Sequence, residues 1–249
     1  MDLSPGGLWE SMGTLARIVT ILLLAMAVAS LAVFIERIVV FVRSIRRSRE
    51  FAQVSTPVLE ARRYEELASL CKKHEGSLLA ELVGSGLAVF SRAASDLRNG
   101  LPSHVAPVEL ARRELARRLE GQTARLRRGF PLIASVGSVA PFVGLFGTVV
   151  GIITAFQGVG QQGSAGIGAV SGGIAEALAV TAVGLVVAIA AVLGFNFLQT
   201  LSERIELALG QAASELGDHL ENVHGLQAGG AGGSASATSN GAQAAATGH

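Results

Sequence analysis

Gly172-Gly173-Ile174-Ala175-Glu176-Ala177-Leu178-Ala179-Val180-Thr181-Ala182-Val183-Gly184 decides how the rest of the chain is read. Glu176 stands at the head of an otherwise uncharged hydrophobic run that continues to Leu198. About 20 apolar residues suffice for a helix to cross the bilayer core. A charged carboxyl at or inside that boundary costs about 2.5 kcal/mol or more, which makes it a candidate for function.

Working outward, two further runs are long enough to span. Ile18–Phe41 carries Glu36 and Arg37 near its end, and Phe130–Phe156 carries no charge. Three transmembrane helices are therefore expected, over 18–41, 130–156 and 174–198. Composition agrees: mean hydropathy is +0.49, with 16% charged and 5% aromatic residues, too apolar for an ordinary soluble domain. Ala27-Val28-Ala29 resembles a signal-peptide cleavage site, but the preceding segment holds Asp2, Glu10 and a single Arg, and the apolar pattern runs past the cut. The first run therefore reads as a retained span.

Charge sets the expected orientation. Of the 20 Lys and Arg, 17 lie between Arg43 and Arg128 with ten of the 19 acids, a local excess near +7. Residues 1–17 hold one Arg, and Gly129 to Gln199 hold neither Lys nor Arg. The cationic loop belongs on the cytoplasmic side. This gives a short periplasmic N-terminus (1–17), a helical cytoplasmic domain (42–129), a periplasmic link (157–173) and a cytoplasmic C-terminus. The net charge of +1 supplies no field for nucleic acid, and the Arg run reads as a solvated helix face beside an anionic leaflet. Cys71 has no intrachain disulfide partner and reads as a plain thiol.

Val58–Ala68 has helical spacing, as does Val108–Leu126, with breaks at Gly100, Pro102 and Pro107. Over 199–224, Leu201, Ile205, Leu209, Ala212, Leu216, Leu220 and Val223 form an apolar stripe, so the third span should continue as an amphipathic helix whose stripe a partner must cover. Residues 225–249 are Gly, Ala, Ser, Thr and Gln in the main, cannot build a core, and are expected to be a disordered tail.

On a helical projection, Gly137, Ser138, Pro141, Gly144, Gly147, Thr148, Gly151 and Ala155 share one broad face of the second span. Ala177, Thr181, Gly184, Ala188 and Ala191 share a face of the third. Small residues in membrane helices serve close packing. The same stripes could line a narrow space for another protein's helix, with the Thr hydroxyls meeting a polar group from that chain. Glu176 sits about one and a half turns from Thr181, on another side of the helix. It either caps a helix start or pairs with an Arg, or it handles protons. No phosphate loop, metal-ligand spacing or nucleophile elbow occurs in the sequence. Nothing calls for a cofactor, a metal or a catalytic residue, so the chain is not expected to be an enzyme.

Ala140-Pro141-Phe142-Val143-Gly144-Leu145-Phe146-Gly147-Thr148-Val149-Val150-Gly151-Ile152 resembles the signature of the MotA/TolQ/ExbB proton channel family. So does Gly173 to Val186, and Ala188-Ile189-Ala190-Ala191-Val192 with Asn196 fits as well. Three spans with the N-terminus outside are similar to ExbB and TolQ, whereas MotA has four. The resemblance implies an all-α homopentamer around a central pore in the bacterial inner membrane. It implies an ExbD- or TolR-like partner whose single spans sit in the lumen and carry a proton-binding Asp, and an effector of TonB, TolA or motility type. It assigns Thr148 and Thr181 to face that Asp, Glu176 to the proton route, and Pro141, Gly144, Gly147, Gly151, Ala177, Gly184 and Ala188 to pore packing. Family members usually have Pro where Ala190 stands here, so this helix keeps a hydrogen bond and is expected to run straighter.

Overall fold

The computed structural model describes residues 13–100, 105–162 and 167–244, with side chains described for all of these except 158–162, 167–169 and 224–244. The expected periplasmic residues 1–12 therefore lie outside the described residues. Among the described residues the chain is all-helical, with no strand: α1 Thr14–Glu60, α2 Tyr64–Lys73, α3 Leu78–Arg98, α4 Pro107–Leu126, α5 Phe130–Gln162 and α6 Ile167–Ala244. It divides into two compact units, the first made of residues up to Val40 with Leu126–Ser202, the second of Phe41–Arg125 with Glu203 onward.

In the first unit, α1 and α6 run in the same direction. Gly13 meets Glu176 near one end and Phe34 meets Gly194 and Phe197 near the other. Helix α5 runs opposite to both: Gly151 faces Ala177 and Gly137 faces Val192, while Gly147 faces Val19 and Gly129 faces Val33. Phe130 packs edge-on to Phe195, centroids 5.9 Å apart. The interior is made of small and medium residues such as Ala140, Ala177, Val180, Ala188 and Ala191. Leu23, Phe130, Ile133 and Leu198 are buried with them, but most of the large apolar side chains point outward, with Phe142 at 70% exposure and Val186 at 67%. That inversion suits a lipid environment, where large apolar side chains need no shelter.

The second unit is built the other way round. Phe51, Leu67, Leu82, Leu115, Leu209, Leu216 and Leu220 form its buried core, with contributions from all five helices that enter it. Ser77 caps α3, its Oγ accepting from the Ala80 N–H at 3.2 Å, a cap worth about 1 kcal/mol. Gln122 donates to the Leu78 carbonyl at 2.9 Å, and Arg112 reaches Asp218 and Glu221 at 3.1 and 2.6 Å.

Several sequence expectations change here. The helical reading of Val58–Ala68 is interrupted: α1 ends at Glu60, and Arg62 takes a left-handed φ of 55°. Arg63 N–H donates to the Val58 carbonyl and Arg62 N–H to Leu59. This is the paired C-terminal closure that normally recruits Gly at the left-handed position. Leu209, Leu216 and Leu220 of the 199–224 stripe are buried in a core shared with residues of the chain's own α1, α2, α3 and α4. Helical backbone takes up most of the expected link: α5 continues to Gln162 and α6 starts at Ile167, with 163–166 outside the described residues. Helix α6 carries on to Ala244. Residues 245–249 lie outside the described residues.

Among the described residues, four helices are long and apolar enough to cross a membrane: α1, α3, α5 and α6. The addition to the sequence reading is α3. It differs in kind, because Leu82, Val83, Leu87 and Phe90 are already buried in the second unit's core, and Glu81, Arg92, Asp96 and Arg98 lie along it.

Candidate functional site

The stripes of small residues on α5 and α6 meet within the chain. A Cβ placed on Gly144 would come within 3.1 Å of the Thr181 Cα, and one on Gly184 within 2.8 Å of the Ala140 carbonyl oxygen and 3.1 Å of the Gly144 Cα. Gly151 lies against Ala177 and Gly147 against Val180, each leaving no room for a side chain. Glycine is used here for backbone-to-backbone approach. Pro141 lies half-buried within α5, and Ala188 is buried, its carbonyl facing Gly137.

Both nominated hydroxyls belong to this seam. Thr148, 7% exposed, donates to the Leu145 carbonyl at 2.7 Å. Thr181, half-buried, donates across the helix pair to the Gly144 carbonyl at 2.8 Å. In an α-helix the Gly144 carbonyl also serves the amide four residues on, which is that of Thr148. One backbone oxygen therefore stands between the two threonines. Apart from these hydroxyls, the facing surfaces are backbone and small apolar groups.

Glu176 is placed elsewhere. Its Oε1 accepts from the Gly13 N–H at 2.8 Å. Gly13 immediately precedes α1, and its carbonyl accepts from the Arg17 N–H, so the carboxyl serves the start of a helix 163 residues away in sequence. Of the two sequence readings, the capping geometry is present, on α1 and not on Glu176's own helix. First-turn amides lack partners within a helix and favour a negative group. Sequence reasoning missed Gly13, Ala140, Val19 and Val180 as seam or clasp residues. Ala140 and Val180, which lie inside the quoted motifs next to Pro141 and Thr181, had a local signal; Gly13 and Val19 had none.

Outside the seam, Cys71 is buried on α2 against Gly84, and burial pushes its thiol from 9.0 to about 11. Burial also raises the Tyr64 phenol, partly offset by Arg62. Among the described residues no group of three or more His, Cys, Asp or Glu could hold a metal ion.

Residues 84–211, which include Thr148, Glu176 and Thr181, match the model of the MotA/TolQ/ExbB proton channel family. The chain belongs to that family. Its relatives within the family include the biopolymer transport protein ExbB of Salmonella typhimurium, 31% identical over 217 residues, or 86% of this chain and 85% of that protein. The ExbB of Neisseria gonorrhoeae is 42% identical over 129 residues, covering 52% of this chain and 57% of that protein. The ExbB of Xanthomonas campestris is 38% identical over 131 residues, so the chain spans about half the length of that relative (52%) and the match takes in 53% of this chain. ExbB/TolQ-type membership fits the whole set, and the chain is a membrane protein by its helices and its family.

Proposed function

We propose that this chain is the proton-channel and motor subunit of a bacterial inner-membrane complex that turns proton-motive force into mechanical work on the cell envelope. It crosses the membrane three times, through 18–41, 130–156 and 174–198, with the N-terminus periplasmic and the second unit and C-terminus cytoplasmic. Helix α3 stays out of the bilayer because its apolar face is occupied by a core and its ends carry charge. Five copies surround a lumen that holds the single spans of an ExbD- or TolR-like partner. The carboxyl of an Asp on that partner exchanges protons beside Thr148 and Thr181. The work is delivered to a TonB- or TolA-like effector or a motility machine.

The observation that carries this reading is the threonine pair about the Gly144 carbonyl, polar groups retained on two helices that have no Lys or Arg between Gly129 and Gln199. Most of the large apolar side chains of the same helices face outward. A second reading, a non-conducting scaffold subunit, draws support from the fact that Thr148, Thr181 and Glu176 all have in-chain hydrogen-bond partners. Thr148→Ala, Thr181→Ala and Glu176→Ala variants separate the two. The motor reading expects assembled complexes that no longer energise the envelope, whereas full activity in all three variants sinks it.

A further inference from the structure

Resting on that reading, the seam specifies which form of the partner's acid it takes. A carbonyl oxygen can only accept, so in the contacts Thr148–Leu145 at 2.7 Å and Thr181–Gly144 at 2.8 Å each hydroxyl must supply the proton. A threonine hydroxyl has one proton and two lone pairs. With their protons engaged, both side chains present lone pairs alone. We infer that Thr148 and Thr181 form an acceptor-only site, selective for the neutral, protonated carboxylic acid of the partner helix and against its carboxylate.

The charges around the seam agree. Helix α5 carries no titratable side chain, and the membrane part of α6 carries Glu176 alone. The part of helix α1 in the first unit, up to Val40, contributes Arg17, Glu36 and Arg37. Oε1 of Glu176 faces the Gly13 amide, and the Arg37 guanidinium pairs with Glu36. A carboxylate is acceptor-only, so beside these two oxygens it finds lone pairs and no donor, and an uncompensated charge in an apolar setting is costly. A protonated acid brings the single O–H donor the site lacks. The hydroxyls therefore hold the acid once it has taken up a proton and release it once the proton leaves. To receive the carboxylate, Thr181 would have to abandon the Gly144 carbonyl and turn its proton outward.

The two possibilities shift the partner acid's titration in opposite directions. The purified complex in lipid vesicles is treated with dicyclohexylcarbodiimide, which attacks protonated carboxyls, across a pH series, and labelling of the partner's transmembrane acid is read by mass spectrometry. With Thr181→Val, the acceptor is lost and the labelling midpoint falls by about half to one pH unit, the size of one neutral hydrogen bond. Thr181→Ser leaves the midpoint in place. A midpoint that rises or stays put in Thr181→Val overturns the acceptor-only site while leaving the proposed function intact. If Thr181→Val does not assemble, Thr148→Val is read by the same criteria. A native complex in which no partner carboxyl is labelled at any pH removes the proposed function itself, and this inference with it.

Discussion

The two units of this chain solve the packing problem in opposite ways. In the first, Gly144 and Gly184 bring helix backbones together and Phe142, Leu145 and Val186 point outward. In the second, Phe51, Leu82 and Leu216 are fully enclosed, and Arg113, Arg117 and Arg118 pair with Glu109 and Glu114 on the surface. Of the exposed large apolar side chains among the described residues, only Val42, Val54, Leu97 and Leu207 belong to the second unit. The difference follows from the solvent. Against water, burying large apolar groups drives the packing. Against lipid that term is absent, and close contact with satisfied polar groups takes its place.

If this contrast is right, opposite substitutions should damage the two units. Truncation should hurt the second most. Leu216, 1% exposed in its core, should cost about 3–4 kcal/mol when changed to Ala, read as a drop in the denaturation midpoint of that unit. Enlargement should hurt the first. Gly184→Leu drives a side chain into the Ala140 carbonyl and the Gly144 backbone, which cannot swing aside. About 2–3 kcal/mol is expected, read as lost assembly in detergent. A Gly184→Leu protein as stable as the native one would break the comparison.

Cys71 sharpens it from the second unit. With its thiol raised from 9.0 to about 11, maleimide should label it about 100-fold more slowly than a free thiol near neutral pH, with full labelling on unfolding. Below pH 9.0 the thiol is protonated whether folded or not. Between 9.0 and about 11 only the unfolded chain gives up the proton, so stability should fall with rising pH through that window. Cys71→Ala should remove that part of the decline. Glu176 should have the smallest effect on stability: Glu176→Ala forfeits one partly exposed hydrogen bond to Gly13, about 1 kcal/mol. Glu176→Gln retains an acceptor and should recover most of it. A Gln variant that is stable yet fails to energise the envelope would assign the carboxyl a second task beyond clasping α1.

Much of the first unit was legible in the sequence because its signals are local and repetitive. The charge-free runs, the stripes through Gly144, Thr148 and Gly151 and through Ala177, Thr181 and Gly184, and the start of α5 at Phe130 all depend on periodicity and composition. What escaped depends on distance or on a broken local rule. The partner of Glu176 lies 163 positions away. The turn at Arg62 lacks the Gly that would have announced it. The stripe on 199–224 announced that something packs on it but not what, and Leu209, Leu216 and Leu220 share their core with four other helices of the same chain. Helix α3 shows the converse difficulty, since length and apolarity alone class it with the spans, and only its packed face sets it apart.

The seam at Gly144 and Gly184 also carries an entropic consequence. Gly and Ala have no rotamers to freeze, so closing α5 against α6 costs next to no side-chain entropy. A contact of interlocked leucines must unlock many torsions before one helix can shift against another. The glycine-lined surfaces are smooth on that scale, and the cross-helix bond from Thr181 to the Gly144 carbonyl supplies the positional register that rotamer interlock would otherwise provide.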